Sequence, residues 1–81
     1  MRLSETACEI LDLFRRTHRR PGARMTLAQL DARLGTDPTV IVAASKLTHG
    51  GYFVAPDLET VELTARGFDA VQRGDYRTQL L

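Results

Sequence analysis

Apolar residues recur at intervals of three and four along the first part of the chain, which is the spacing of one face of an α-helix. They are Leu3, Ala7, Ile10, Leu11 and Phe14. Ser4 is placed to act as the N-cap, and Pro21-Gly22 ends the segment within a few residues of Arg20. Leu13 lies beside the apolar face, so we expect it to be partly exposed. The pattern predicts a first helix that begins after Ser4.

A second helix begins at a strong capping signal. Thr26 and Gln29 have the spacing of a capping box, in which each side chain accepts a hydrogen bond from the other residue's backbone N–H. Helical spacing continues through Leu27, Leu30 and Leu34. We expect Gly35 to end this helix in a left-handed conformation after about eight residues.

A third helix follows after a short turn. Asp37 is the expected N-cap, and Pro38 is well tolerated in the first turn because its missing N–H would have no partner there. The predicted buried side consists of Val40, Ala44 and Leu47. The glycine pair 50–51 ends the helix. The positions left facing outward are then Thr39, Ile41, Val42, Ala43, Ser45, Lys46 and His49.

A β-hairpin and a last helix complete the predicted elements. Residues 52–55 favour an extended conformation, residues 60–63 alternate polar with apolar, and Pro56-Asp57 between them indicates a turn. Thr64 is then placed to cap a helix that ends near Gly74. In this helix we expect Phe68 and Val71 to face inward.

Length and composition predict one globular domain over residues 1–81, with its core at about 4–74 and a tail at 75–81. Hydrophobic residues make up 43% of the 81 residues and charged residues 26%, which is ordinary for a folded domain. The tail contains Tyr76, Leu80 and Leu81, which have too few apolar neighbours to form a core of their own. They pack on the first helix or meet their counterparts in a dimer, and the sequence leaves both open.

The net charge is only +1, but the cations are unevenly distributed. The stretch between Asp12 and Asp31 has no acidic residue, and its arginines are Arg15, Arg16, Arg19, Arg20 and Arg24. Such a cluster would neutralise phosphates of a nucleic acid, or complement the dipole at the C-terminal end of the first helix. By contrast, the predicted hairpin carries Asp57, Glu59 and Glu62 and no cation.

Residues that support catalysis or metal binding are sparse. Cys8 is the single cysteine, and His18 and His49 are not spaced from it as in a zinc site. We expect Cys8 to be buried, with no metal and no cofactor. Paired carboxylates, a nucleophile beside a base and a phosphate loop are not discernible, so we expect no enzyme activity.

The sequence predicts a cytoplasmic protein without a membrane partner. Its N-terminus lacks a signal-peptide core, and no apolar run approaches the roughly 20 residues that span a bilayer.

Two short motifs follow the third helix and the hairpin. The first is L-x-x-x-G-Y-F from Leu47 to Phe53, and the second is L-T-x-x-G from Leu63 to Gly67. Together with the order of elements, they resemble a winged helix-turn-helix domain of the bacterial transcription-regulator type, over about residues 4–74. The resemblance implies a mainly α fold with three helices, a two-stranded wing and a C-terminal helix.

The resemblance also implies a role in binding double-stranded DNA, because the third helix of such domains enters the major groove while other elements touch phosphates. The residues expected to approach the groove are Thr39, Val42, Ser45, Lys46 and His49. The arginine cluster is expected to supply phosphate contacts. A homodimer joined through its terminal helices would place two such helices roughly 34 Å apart.

An alternative function remains open because the outward positions are unusually apolar. They lack the Arg, Asn and Gln side chains that make bidentate contacts to guanine and adenine. The trio Ile41-Val42-Ala43 is compatible with extra packing inside the domain, with a protein partner, or with methyl contacts in the groove. An acidic wing would also be repelled by phosphate. The alternative is a winged-helix interaction module, an adaptor or an inhibitor of a larger complex.

Overall fold

The structure is a computed structural model, and it describes residues 4–35, 38–74 and 76. The elements within these ranges follow the order α1 (Glu5–Thr17), β1 (Arg24–Thr26), α2 (Leu27–Leu34), α3 (Pro38–His49), β2 (Phe53–Asp57), β3 (Thr60–Leu63) and α4 (Ala65–Arg73). The expectation of a mainly helical chain with a hairpin and a C-terminal helix is confirmed. The sheet, however, has three antiparallel strands in the order β1-β3-β2, and not two.

Helix α1 is the centre of the fold. Ser4 caps it as expected, with its hydroxyl accepting a hydrogen bond from the backbone N–H of Ala7 at 3.1 Å. The helix packs against α2, α3 and α4, so its buried side is wider than a single apolar stripe. For this reason Leu13 is only 3% exposed, and the expectation of partial exposure was wrong. Leu3 lies outside the described residues.

The capping box of α2 is confirmed. The Thr26 hydroxyl accepts from the backbone N–H of Gln29 at 3.0 Å, and the Gln29 side-chain oxygen accepts from that of Thr26 at 2.8 Å. The helix has the expected eight residues. Gly35 follows with a φ of 93°, but its ψ of 147° places it outside the left-handed helical region expected from the sequence.

Helix α3 begins at Pro38 and ends at His49. Its expected cap, Asp37, lies outside the described residues. Val40, Ala44 and Leu47 are buried as predicted. Ala43 is only 2% exposed, so its assignment to the outward positions was wrong. The reason is that α3 packs against α1, α2 and β2 together, and this contact covers a broader arc than one three-residue stripe.

Strand β1 was not recognised in the sequence. Its three residues are too few to show an alternating pattern, and it pairs with a segment more than thirty residues away. The pairs are Arg24 with Glu62, Met25 with Val61, and Thr26 with Thr60. Thr26 is therefore both the last residue of β1 and the N-cap of α2, and β3 is the central strand of the sheet.

The hairpin is longer than the sequence indicated. Strand β2 continues through Pro56-Asp57, and the turn lies at Leu58-Glu59. The expected turn at Pro56-Asp57 was therefore wrong. Strand β2 is at the edge of the sheet, where proline removes no ladder hydrogen bond, and the pairing is irregular between Val54 and Asp57.

Thr64 connects α4 to the start of the hairpin. Its hydroxyl accepts from the backbone N–H of Gly67 at 3.0 Å, which confirms it as the N-cap. The same hydroxyl donates to the carbonyl oxygen of Gly51 at 2.6 Å. Phe68 packs partly buried against the core, and Val71 is fully buried. The inward orientation of both side chains is thus as predicted.

Tyr76 belongs to the core and not to an exposed tail. It is fully buried, and its hydroxyl donates to Oδ1 of Asp12 on α1. The thiol of Cys8, buried as expected, lies 4.0 Å from the carbonyl oxygen of Tyr76. The sequence left open whether the tail packs on the first helix or meets its counterpart in a dimer. Tyr76 packs on the first helix. Leu80 and Leu81 lie outside the described residues.

Candidate functional site

The outer side of α3 carries all five groove-facing residues chosen from the sequence. The exposed members are Thr39, Val42, Ser45, Lys46 and His49, and Ile41 is exposed beside them. A helix turns by about 100° per residue, so Val42, Ser45 and His49 form the centre of this side. Ile41 lies on the flank towards the hairpin, and Thr39 and Lys46 lie on the flank towards the start of α1.

A groove of about 250 Å³ separates α3 from the hairpin. Ile41, Ser45 and His49 line it from the helix. On the opposite wall are Leu58, at the tip of the hairpin and 96% exposed, and the carboxylate-bearing Asp57. The described residues that line the groove are mostly apolar and include a single carboxylate. Sequence reasoning missed Leu58, although an aliphatic residue in a turn between two acidic residues was the available signal.

A second depression, of about 300 Å³, lies on the other flank of α3. Thr39, Val42 and Lys46 line it from the helix, and Ser4 and Thr6 at the start of α1 form the other wall. Pro38, Val42 and Ala43 make much of the lining apolar. Lys46 is the only Lys, Arg, Asp or Glu in α3, so the helix presents one positive charge and no negative charge.

The hairpin is less acidic than its sequence suggested, because β1 brings an arginine to it. Nε of Arg24 lies 2.6 Å from Oε1 of Glu62 in an exposed ion pair between β1 and β3. Arg24 therefore balances one of the three hairpin carboxylates. Arg24 therefore has an ion-pair partner within the domain. From the sequence, a DNA phosphate was the partner expected for it.

Asp57 is held by its own turn. Its Oδ1 accepts a hydrogen bond from the backbone N–H of Glu59 at 2.8 Å. This bond stabilises the charged form and, as the largest cause, lowers the pKa of the Asp57 carboxyl below its usual value. The negative charge at this wall of the groove is thus retained to a lower pH than in an unfolded chain.

The remaining arginines lie at the C-terminal end of α1 and beyond it. Arg15, Arg16, Arg19 and Arg20 are exposed. The first three line a cleft that also includes the carboxylates of Glu9 and Asp12. The Arg15 guanidinium lies against Gly74, so closely that a β-carbon at Gly74 would come 2.5 Å from its Nη1. A cation at this position complements the dipole at the end of α4.

The structure thus divides the chosen residues into two groups. The α3 residues share a surface with Ser4 and Thr6 at the start of α1, whereas Arg16 is in the last turn of that helix. Ten residues of helix between Thr6 and Arg16 correspond to about 15 Å. A partner that touches both groups must therefore extend along α1.

The chain matches no protein-family model, no curated protein sequence and no solved structure. Among residues 4–35, 38–74 and 76, no group of three His, Cys, Asp or Glu side chains is placed to hold a metal ion. Within the same ranges, no helix has both the length and the apolar character that crossing a membrane requires.

Proposed function

We propose that the chain is a winged helix-turn-helix domain that binds double-stranded DNA and regulates transcription. In this proposal α2 and α3 are the helix-turn-helix, and α3 enters the major groove. The observation that carries it is the exposed outer side of α3, flanked by the hairpin, which takes the role of the wing. The short connection from Leu34 to Pro38 also supports this, since the two helices of a helix-turn-helix are joined by a turn of three or four residues.

The charge distribution is consistent with a phosphate backbone at two places. Lys46 lies on the flank of α3. Arg16 in the last turn of α1, and Arg19 and Arg20 beyond that helix, are exposed. The ion pair between Arg24 and Glu62 removes part of the repulsion that an acidic wing would otherwise exert on phosphate. A homodimer, with its two α3 helices roughly 34 Å apart, would fit successive major grooves.

The test is fluorescence anisotropy of the purified chain with a labelled random-sequence duplex, at about 50 mM and about 200 mM salt. Phosphate contacts release counterions, so affinity should fall steeply over this range. Binding with that salt dependence would support the proposal and justify selecting a specific site from a pool of duplexes. A chain that binds no duplex at the lower salt concentration would overturn it.

A second candidate function is favoured by the apolar groove. Leu58 is almost fully exposed at one rim and Ile41 is half-exposed at the other, and exposed aliphatic residues around a groove are typical of protein-binding surfaces. The chain would then be an interaction module that acts as an adaptor or an inhibitor. Ile41→Asp should abolish its complex in a pull-down, whereas Val54→Asp, which changes an exposed valine outside the groove, should not.

A further inference from the structure

The exposed side of α3 changes character along its length. Ile41 and Val42, in the first half, are 53% and 52% exposed. Ser45, Lys46 and His49, in the second half, are all polar. In helix-turn-helix domains the N-terminal residues of the second helix contact the base edges. In the orientation proposed above, the two aliphatic side chains therefore meet the bases, together with the polar Thr39 in the same half of the helix.

The major groove offers few groups that suit such side chains. Its base edges present hydrogen-bond donors and acceptors, and the C5-methyl group of thymine is the apolar exception. An aliphatic side chain pressed against a donor or acceptor removes water from it without replacing the hydrogen bond, which is unfavourable. Helix α3 contains no Arg, Asn or Gln to make the bidentate contacts that select guanine or adenine.

We infer that α3 selects its DNA site through thymine methyl groups, with Ile41 and Val42 each contacting one. This inference rests on the proposed function and adds the class of sequence that is bound. The two side chains diverge by about 100°, with Ile41 directed to the hairpin flank and Val42 to the flank of α1. They therefore contact thymines of different base pairs, and the site contains a thymine at both positions.

Uracil substitution isolates the methyl group, because uracil differs from thymine only by its absence. A site is first selected from a pool of random duplexes with the whole chain. Each thymine of the selected site is then replaced by uracil in turn, and affinity is measured by anisotropy. A methyl group buried in the interface corresponds to about a fourfold change in affinity. We expect a loss of this size at two positions, and no loss at the others.

Variants of the protein assign each position to a side chain. Val42→Ala should remove the preference for thymine over uracil at one position, and Ile41→Ala at the other. Both side chains are exposed, so neither change should unfold the domain, which circular dichroism checks. Val54→Ala is the matched control, since Val54 is also an exposed valine but lies on β2, outside the groove. It should keep both preferences.

The outcomes separate the inference from the proposed function. A duplex that is bound equally with thymine and uracil would overturn the inference and leave DNA binding in place. A preference that persists in both alanine variants would also overturn it, since other groups would then contact the methyls. A chain that binds no duplex at about 50 mM salt would overturn both.

Discussion

The carbonyl oxygen of Tyr52 lies directly against the α-carbon of Gly67, where α4 crosses the start of the hairpin. A β-carbon at position 67 would fall far inside the van der Waals contact distance to that oxygen and would come 2.9 Å from Cδ1 of Leu63. The same carbonyl accepts a hydrogen bond from the backbone N–H of Thr64 at 3.1 Å, and it lies 3.0 Å from the Thr64 hydroxyl oxygen. The close approach therefore determines how α4 meets the sheet.

Gly67→Ala should accordingly destabilise the domain, by about 1–3 kcal/mol as expected for an overpacked contact. Helix propensity alone would give the opposite sign, a gain of about 1 kcal/mol. Urea unfolding followed by circular dichroism measures the change. Ala65→Gly in the same helix is the control and should cost no more than about 1 kcal/mol. A stabilised Gly67→Ala variant would mean that the two backbones do not approach this closely.

The hydrogen bond from Tyr76 to Asp12 should contribute measurably to stability. Tyr76→Phe removes the hydroxyl from a fully buried ring, and a bond to a charged partner contributes about 1.5–3 kcal/mol. Tyr52→Phe is the matched control, because the Tyr52 hydroxyl accepts only a long bond of 3.4 Å from Arg66. Thermal unfolding should show a clearly lower Tm for Tyr76→Phe, and equal losses would contradict the placement of Tyr76.

Lys46 should contact phosphate if α3 lies in the major groove. Lys46→Ala should weaken binding to all duplex sequences and lower the slope of log K against log salt by about 1. Ser45→Ala, by contrast, should weaken binding mainly to the selected site. The control is Arg73→Ala, which removes one positive charge from α4, where Arg73 lies 3.3 Å from Asp69. An equal loss of slope in this control would show that the position of the cation is unimportant.

The Asp57 carboxyl should make the stability of the hairpin depend on pH in the acidic range. Its pKa is lower in the folded chain, so its charged form stabilises the fold above the unfolded pKa of 3.8. This contribution is lost as the pH falls below about 4 and through the folded pKa. Asp57→Asn keeps a side-chain oxygen but does not titrate.

The difference in Tm between the wild-type chain and Asp57→Asn should therefore decrease from about pH 6 to about pH 3. The two thermal unfolding series are compared at the same ionic strength. A difference that stays constant over this range would mean that the bond from the Glu59 backbone does not favour the charged form.

Local signals allowed several elements to be predicted from the sequence alone. The capping box of Thr26 and Gln29 and the cap at Thr64 are contained within four residues each, and both are present. The outward orientation of Ser45 and His49 followed from helical spacing in the same way. These features depend on a residue and its near neighbours in the chain, which is the information that a single sequence contains.

Features that depend on distant contacts were missed. Strand β1 exists because Arg24–Thr26 pairs with β3, and the ion pair of Arg24 with Glu62 follows from that register. The burial of Ala43 and Leu13 likewise depends on how many elements surround α3 and α1. None of these contacts has a signal within its own segment.

The position of Thr26 affects how a partner binds to the surface made by α3 and the hairpin. One residue closes the pairing with Thr60 and also starts α2, so the sheet and α2 are joined with no loop between them. The surface made by α3 and the hairpin is therefore preorganised, and little conformational entropy is lost in it on association. Most of the adjustment of shape must then come from the partner, and a stiff partner will bind less tightly than a deformable one.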